Sequence, residues 1–283
     1  MAVLDVHFHS DALQVSTAMT VILPEHPRTL IGLGGGGAQA PDDPAGPPLL
    51  YLLHGLSDDE SIWLRRTSID RHAAEKGLAV VMPRAERSFY QDEVHGSAYW
   101  TFLSQELPEV VHRFLRVSTR REDTFVAGLS MGGYGAMRWA LSRPDRFAAA
   151  ASFSGALDLS ARAGALAGSA LARSALTGGS ALDPDSPFLD LTPDVRDRAF
   201  GGHFTPGGDN DLLALLARCD PSELPALWVS CGRQDELLPH SEHFVEAARA
   251  AGADPHVEYP DGVHEWGLWD AQIRRVLDWL PLA

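Results

Sequence analysis

Cysteine is nearly missing: Cys219 and Cys231 are the only two among 283 residues. No disulfide framework can be built from them, and a reducing compartment suits such a chain. Long apolar runs are missing as well. No stretch approaches the roughly 18 consecutive apolar residues that a membrane-spanning helix needs. Residues 1–15 carry Asp5 and His7 where an export signal would show a cationic start and an apolar core, so a cytoplasmic protein is expected. Basic residues are scarce, with 23 Lys and Arg against 38 Asp and Glu and a formal net charge of -15. Phosphate backbones need a basic surface, so nucleic acid is not expected as a partner, and without a long apolar run neither is a membrane.

What is present supports one well-filled core. At 45% hydrophobic and 22% charged the composition is that of a globular protein, and 283 residues lie near the upper limit of one domain. Segments 2–9 and 14–23 read as strands and predict an antiparallel hairpin. The stretch 31–48 is so rich in Gly and Pro that a loop is expected. After it the run Leu49-Leu50-Tyr51-Leu52-Leu53 reads as a buried parallel strand. Further strands are expected at 78–82, 123–128, 147–153, 226–231 and 255–259. Helices are expected at 101–116, broken near its start by Pro108, and at 131–142, 240–251 and about 266–280. Strands alternating with helices predict an α/β fold, a mostly parallel eight-stranded sheet covered on both faces. Residues 156–224 interrupt the alternation. With only a short helical pattern at 211–219, they read as a lid-like insertion over the C-terminal edge of the sheet.

The chemistry is announced by Gly128-Leu129-Ser130-Met131-Gly132, a G-x-S-x-G sequence between an apolar strand and a helix. A serine on so sharp a strand-to-helix turn presents its hydroxyl above the sheet, and the glycines let neighbouring backbone approach. The hydroxyl becomes a nucleophile only when a histidine takes its proton and an acid orients that histidine. Among twelve histidines, His264 alone falls on a loop between the last strand and the last helix, at the sheet edge that carries Ser130. His256 lies within a strand, and His240 and His243 open a helix. Asp235, on the loop leaving strand 226–231, supplies the acid. Its neighbour Glu236 would face the other way, and Asp261 is too close in sequence to fold back onto His264; the competing reading of Asp235 is a helix N-cap. Backbone N–H groups of Met131 and of Leu56, in the loop His54-Gly55-Leu56-Ser57, are expected to form an oxyanion hole.

Three other patterns lead elsewhere. Gly32 to Gly37 satisfies G-x-G-x-x-G, but the Pro-rich segment behind it cannot open the helix a dinucleotide site requires. His7 and His9 resemble a metal-binding pair, yet no further ligands follow at later strand ends, so they read as an exposed strand face. His240 and His243 lack a third ligand. No cofactor and no metal are expected, and Cys231 reads as a buried structural thiol.

On residues 17–24, 49–73, 77–93, 106–111, 128–141, 225–238 and 262–270 the chain resembles the tributyrin esterases. These belong to the wider esterase D and S-formylglutathione hydrolase group. The resemblance implies an α/β-hydrolase fold, Ser130, Asp235 and His264 as a triad, Leu56 and Met131 as oxyanion donors, short-chain acyl esters as substrates and no cofactor. S-formylglutathione hydrolases usually carry a cysteine just after the third-strand loop, where this chain reads Gly55-Leu56-Ser57-Asp58, which favours the tributyrin branch. A serine carboxylesterase acting through an acyl-enzyme on a small-molecule ester is therefore expected. The alternatives are an S-formylglutathione hydrolase, a feruloyl or acetyl-carbohydrate esterase, or a noncatalytic binding module of the same fold. The sequence leaves open whether the chain forms a homo-oligomer.

Overall fold

The computed structural model describes residues 1–25, 45–159, 193–202 and 204–282. Most of the Gly-rich loop expected at 31–48 lies outside these residues, as do residues 160–192 and 203 of the insertion expected at 156–224.

Eight strands form one sheet: β1 (Ala2–Ser10), β2 (Val15–Leu23), β3 (Leu49–Leu53), β4 (Ala79–Pro83), β5 (Thr124–Leu129), β6 (Ala149–Phe153), β7 (Ala226–Ser230) and β8 (His256–Glu258). Their order is β1-β2-β4-β3-β5-β6-β7-β8. The hairpin β1–β2 is antiparallel, with Ala2 opposite Leu23 and Ser10 opposite Val15, and β2 also runs antiparallel to β4. From β4 to β8 every pairing is parallel. The chain steps from β3 to β4 on one side and returns to β5 on the other, so the order reverses at the C-terminal ends of β3 and β5. In open α/β sheets ligands settle in the crevice at such a switch point.

Alternation along the buried strands sorts the core into two layers. Leu49, Tyr51 and Leu53 face one way and join Val126, Met131, Tyr134, Trp139 and Phe244. Leu50 and Leu52 face the other way, with Phe125, Ala127, Trp63, Ile273 and Val276. The first layer is roofed by α3 (Tyr99–Thr101), α4 (Leu107–Phe114), α5 (Met131–Ser142), α7 (Leu212–Arg218) and α8 (Leu238–Ala250), and α6 (Pro193–Phe200) adds Val195 and Phe200 to it. The second is roofed by α1 (Ile62–Arg66), α2 (Ile69–Lys76) and α9 (Trp266–Trp279).

The break expected at Pro108 takes a different form. A π-helical turn, Phe102–Glu106, joins α3 to α4, and Pro108 sits in the first turn of α4. Proline there has no N–H to offer the carbonyl of Ser104. The Arg146 guanidinium takes that oxygen instead, at 3.0 Å, so the helix continues past the proline without an orphaned acceptor.

Candidate active site

Ser130 stands between the last residue of β5 and the first of α5, with φ 53° and ψ -116°. Serine in this region costs about 1–3 kcal/mol and persists only where its surroundings hold it. Three backbone hydrogen bonds do so: Ser130 N–H to the Phe153 carbonyl at 2.9 Å, and its own carbonyl to the N–H groups of Tyr134 (3.1 Å) and Ala156 (3.2 Å). The glycines of the motif allow the turn to close. A Cβ on Gly128 would lie 2.3 Å from the Gly132 carbonyl oxygen.

Asp235 and His264 arrive from the C-terminal ends of β7 and β8. The Nδ1 of His264 lies 2.9 Å from Oδ2 of Asp235, whose other oxygen accepts the Leu237 N–H at 2.9 Å. The Asp235 side chain has no exposure and that of His264 only 9%. Burial pushes the Asp235 carboxyl up, but the hydrogen bond and charge of His264, the Ser154 hydroxyl and the Leu237 amide outweigh it. The group stays below the ordinary carboxylate range. An ionised carboxylate only accepts, so Nδ1 carries the proton and Nε2 of His264 is left as a basic site. The indole of Trp269 stands edge-on to the imidazole, with ring centres 4.8 Å apart.

Two other described histidines near the sheet edge are engaged elsewhere. His256 stacks on Trp228 with centroids 4.0 Å apart, and His243 bonds Asp158 at 2.9 Å. His7 and His9 lie on an exposed strand face, as expected, and Asp261 is exposed. Among the described residues no group of three or more His, Cys, Asp or Glu is placed to hold a metal. Cys231 is buried, and burial, with the Asp235 charge beside it, drives its thiol well above the ordinary range.

The loop after β3 closes against the serine: a Cβ on Gly55 would stand 3.8 Å from the Ser130 Cβ. His54 sets the loop's orientation. The Ala85 N–H donates to its Nε2 at 2.9 Å, which leaves Nδ1–H to donate to the Gly55 carbonyl at 2.7 Å. Burial lowers the pKa of this imidazole, so it stays neutral and keeps that tautomer. The Asp58 N–H holds the same carbonyl at 3.2 Å. In a planar trans peptide the N–H points opposite to the C=O, so anchoring the Gly55 carbonyl also aims the Leu56 N–H. Met131 opens α5, and the first N–H groups of a helix have no acceptor within it. Met131 follows Ser130 directly, and Leu56 follows Gly55 on the loop that closes against the serine.

Sequence reasoning missed three side chains around this site: the His54 imidazole, Ser154 and Trp269. The His-Gly pair at a strand end hinted at the first. Nothing local pointed to the others, whose contacts cross about a hundred residues or span an element boundary.

Comparison with known proteins agrees with this architecture. The Esterase family model matches residues 38–280. An acetyl esterase of Caldicellulosiruptor saccharolyticus is 27% identical over 284 residues, covering 99% of this chain and 98% of that one. Among solved structures, the Staphylococcus aureus fluorophosphonate-binding serine hydrolase FphF shares 29% identity with a TM-score of 0.78. The S-formylglutathione hydrolase FrmB of the same organism shares 28% with a TM-score of 0.76, and each comparison covers 99% of this chain and 98% of the other. With its sheet order, its strained serine turn and a matching span from 38 to 280, this chain belongs to the Esterase family and is a carboxylic ester hydrolase of α/β-hydrolase fold.

Proposed function

We propose that the chain hydrolyses short-chain acyl esters through an acyl-enzyme on Ser130, as the tributyrin esterases it resembles do. The observation that carries the mechanism is the buried Asp235–His264 pair at the sheet edge that also bears Ser130 on its strained turn. His264 takes the Ser130 proton as the hydroxyl oxygen attacks the ester carbonyl, then gives it to the departing alcohol. Water repeats the sequence on the acyl-enzyme and frees the acid. Asp235 keeps the imidazole in the required tautomer and stabilises its charged form. The N–H groups of Leu56 and Met131 receive the developing negative charge. The near full-length likeness to an acetyl esterase supports a small acyl group.

The likeness to an S-formylglutathione hydrolase favours a second reading, thioester hydrolysis with the same three residues. Measuring kcat/KM over p-nitrophenyl esters from acetate to decanoate, with S-formylglutathione alongside, separates the two. A maximum between acetate and butyrate supports the first, and a dominant rate on S-formylglutathione replaces it with the second. Ser130→Ala should abolish both activities and leave the fold intact. Retention of most activity would remove Ser130 from the mechanism.

A further inference from the structure

Ser154 follows β6 directly with φ 47°, a left-handed conformation that glycine adopts without strain. Its N–H bonds the Ser230 carbonyl at 2.7 Å, which a glycine could do as well. The backbone therefore does not account for a serine; the side chain does. That side chain is buried, and its hydroxyl oxygen accepts the indole N–H of Trp269 at 3.1 Å. An indole N–H only donates, so the hydroxyl's own proton is available for an acceptor on its other side. Two neighbours feel that hydroxyl, the carboxylate of Asp235 and the thiol of Cys231, since it lowers the titration of each. A neutral thiol sulfur is a weak acceptor and an ionised carboxylate a strong one, so the proton goes to Asp235.

We propose that Ser154 is a positioning residue for the ester hydrolysis assigned above, relaying the indole N–H of Trp269 through its hydroxyl onto the Asp235 carboxylate. The chain of donors then runs in one direction, from Trp269 to Ser154 to Asp235, and meets the His264 Nδ1–H at the same carboxylate. Trp269 closes the circuit by packing its ring edge-on to His264. Two hydrogen bonds hold Asp235, from the Leu237 amide and from His264, and in this proposal the Ser154 hydroxyl supplies a third. The titratable groups facing Asp235 are His264 and Cys231. Without Ser154 the carboxylate is freer to turn, and its charge is less neutralised toward His264.

The inference rests on the esterase reading for its kinetic arm, so a second readout is independent of activity. Ser154→Ala, Ser154→Gly, Trp269→Phe and the Ser154→Ala/Trp269→Phe pair are assayed on p-nitrophenyl acetate, and the His264 Nδ1–H proton is followed by NMR. Loss of a charge-assisted hydrogen bond should lower kcat about tenfold with KM unchanged. Ser154→Gly, which relieves the backbone strain but restores no hydroxyl, should lose as much. It also serves in place of the alanine variant should that one fail to fold. Trp269→Phe should lose less, and its effect should disappear when Ser154 is already alanine. The His264 Nδ1–H resonance should shift to lower field in both Ser154 variants. Wild-type kcat with an unmoved resonance overturns the proposal, as does a Trp269→Phe loss that is equal in both backgrounds. If the unaltered protein hydrolyses no ester, the esterase reading falls and the resonance alone decides the role of Ser154.

Discussion

Gly132→Ala tests whether the nucleophile turn and the oxyanion loop are built as one unit. The Cβ it introduces would lie 2.5 Å from the carbonyl oxygen of Leu53 and 2.6 Å from that of His54. The closer contact is about 0.9 Å shorter than ordinary van der Waals distance, and both obstacles are backbone. Neither can yield cheaply. The Leu53 oxygen is held at 3.0 Å by the Trp63 indole N–H, and the His54 oxygen at 3.0 Å by the Tyr90 hydroxyl. The end of β3 must move away from α5, and Leu56 moves with it. Overpacking of this kind costs about 1–3 kcal/mol of stability. The kinetic effect should be larger in proportion. An oxyanion donor acts at about 2.7–3.1 Å, so a displacement near 0.9 Å removes it, and loss of one donor costs about 10²–10³ in kcat. The assay is kcat on p-nitrophenyl acetate beside thermal unfolding followed by circular dichroism. A folded variant within threefold of the parent rate (~0.6 kcal/mol on the barrier) would refute the coupling of the two loops.

Acidification should abolish activity before it unfolds the protein. Asp235 has a folded pKa below its unfolded value, so its stabilising contribution is complete above the unfolded value near about 3.9 and is lost only as pH falls through the lower folded value. Rate should decline as the histidine base takes up a proton, while far-UV circular dichroism persists; a flat rate down to about pH 4 would contradict a histidine base. Arg84→Ala should destabilise the loops flanking the site. It strips the bidentate partner, at 2.6 Å for each bond, from the buried Glu60, and the cost should be about 1–3 kcal/mol, toward the low end because Arg84 is partly in water. An unchanged melting temperature would show that Glu60 needs no partner.

The sheet was legible because a strand buried on both faces must be apolar at every position. Leu49–Leu53 and Ala79–Pro83 announce themselves in that way. The helices Ile62–Arg66 and Ile69–Lys76 did not, since neither is long enough to display a period of 3.6 residues. Pro108 was misleading for a reason outside its own neighbourhood in the chain. Its missing N–H is compensated by Arg146, a donor that lies far along the chain. At the site, Ser130 was marked by its glycines, and Asp235 and His264 by their position after consecutive strands. Ser154 was hidden because a serine at φ 47° is indistinguishable in sequence from one in an ordinary turn, and its partner Trp269 is 115 residues away.

The strand order has a consequence for how activity first appears during synthesis. The proposed machinery is gathered from the ends of β3, β5 and β7 and from beyond β8, from Leu56 to His264, and every parallel pairing beneath it joins distant parts of the chain. Such pairings form late, and a ribosome delivers the N-terminal strands first. A growing polypeptide can therefore display its serine elbow and its oxyanion loop and still lack a proton acceptor. If His264 is the base, as proposed, hydrolysis should begin only after its segment has emerged and docked, a nascent or truncated copy should be chemically silent, and turnover in a translation reaction should count finished molecules.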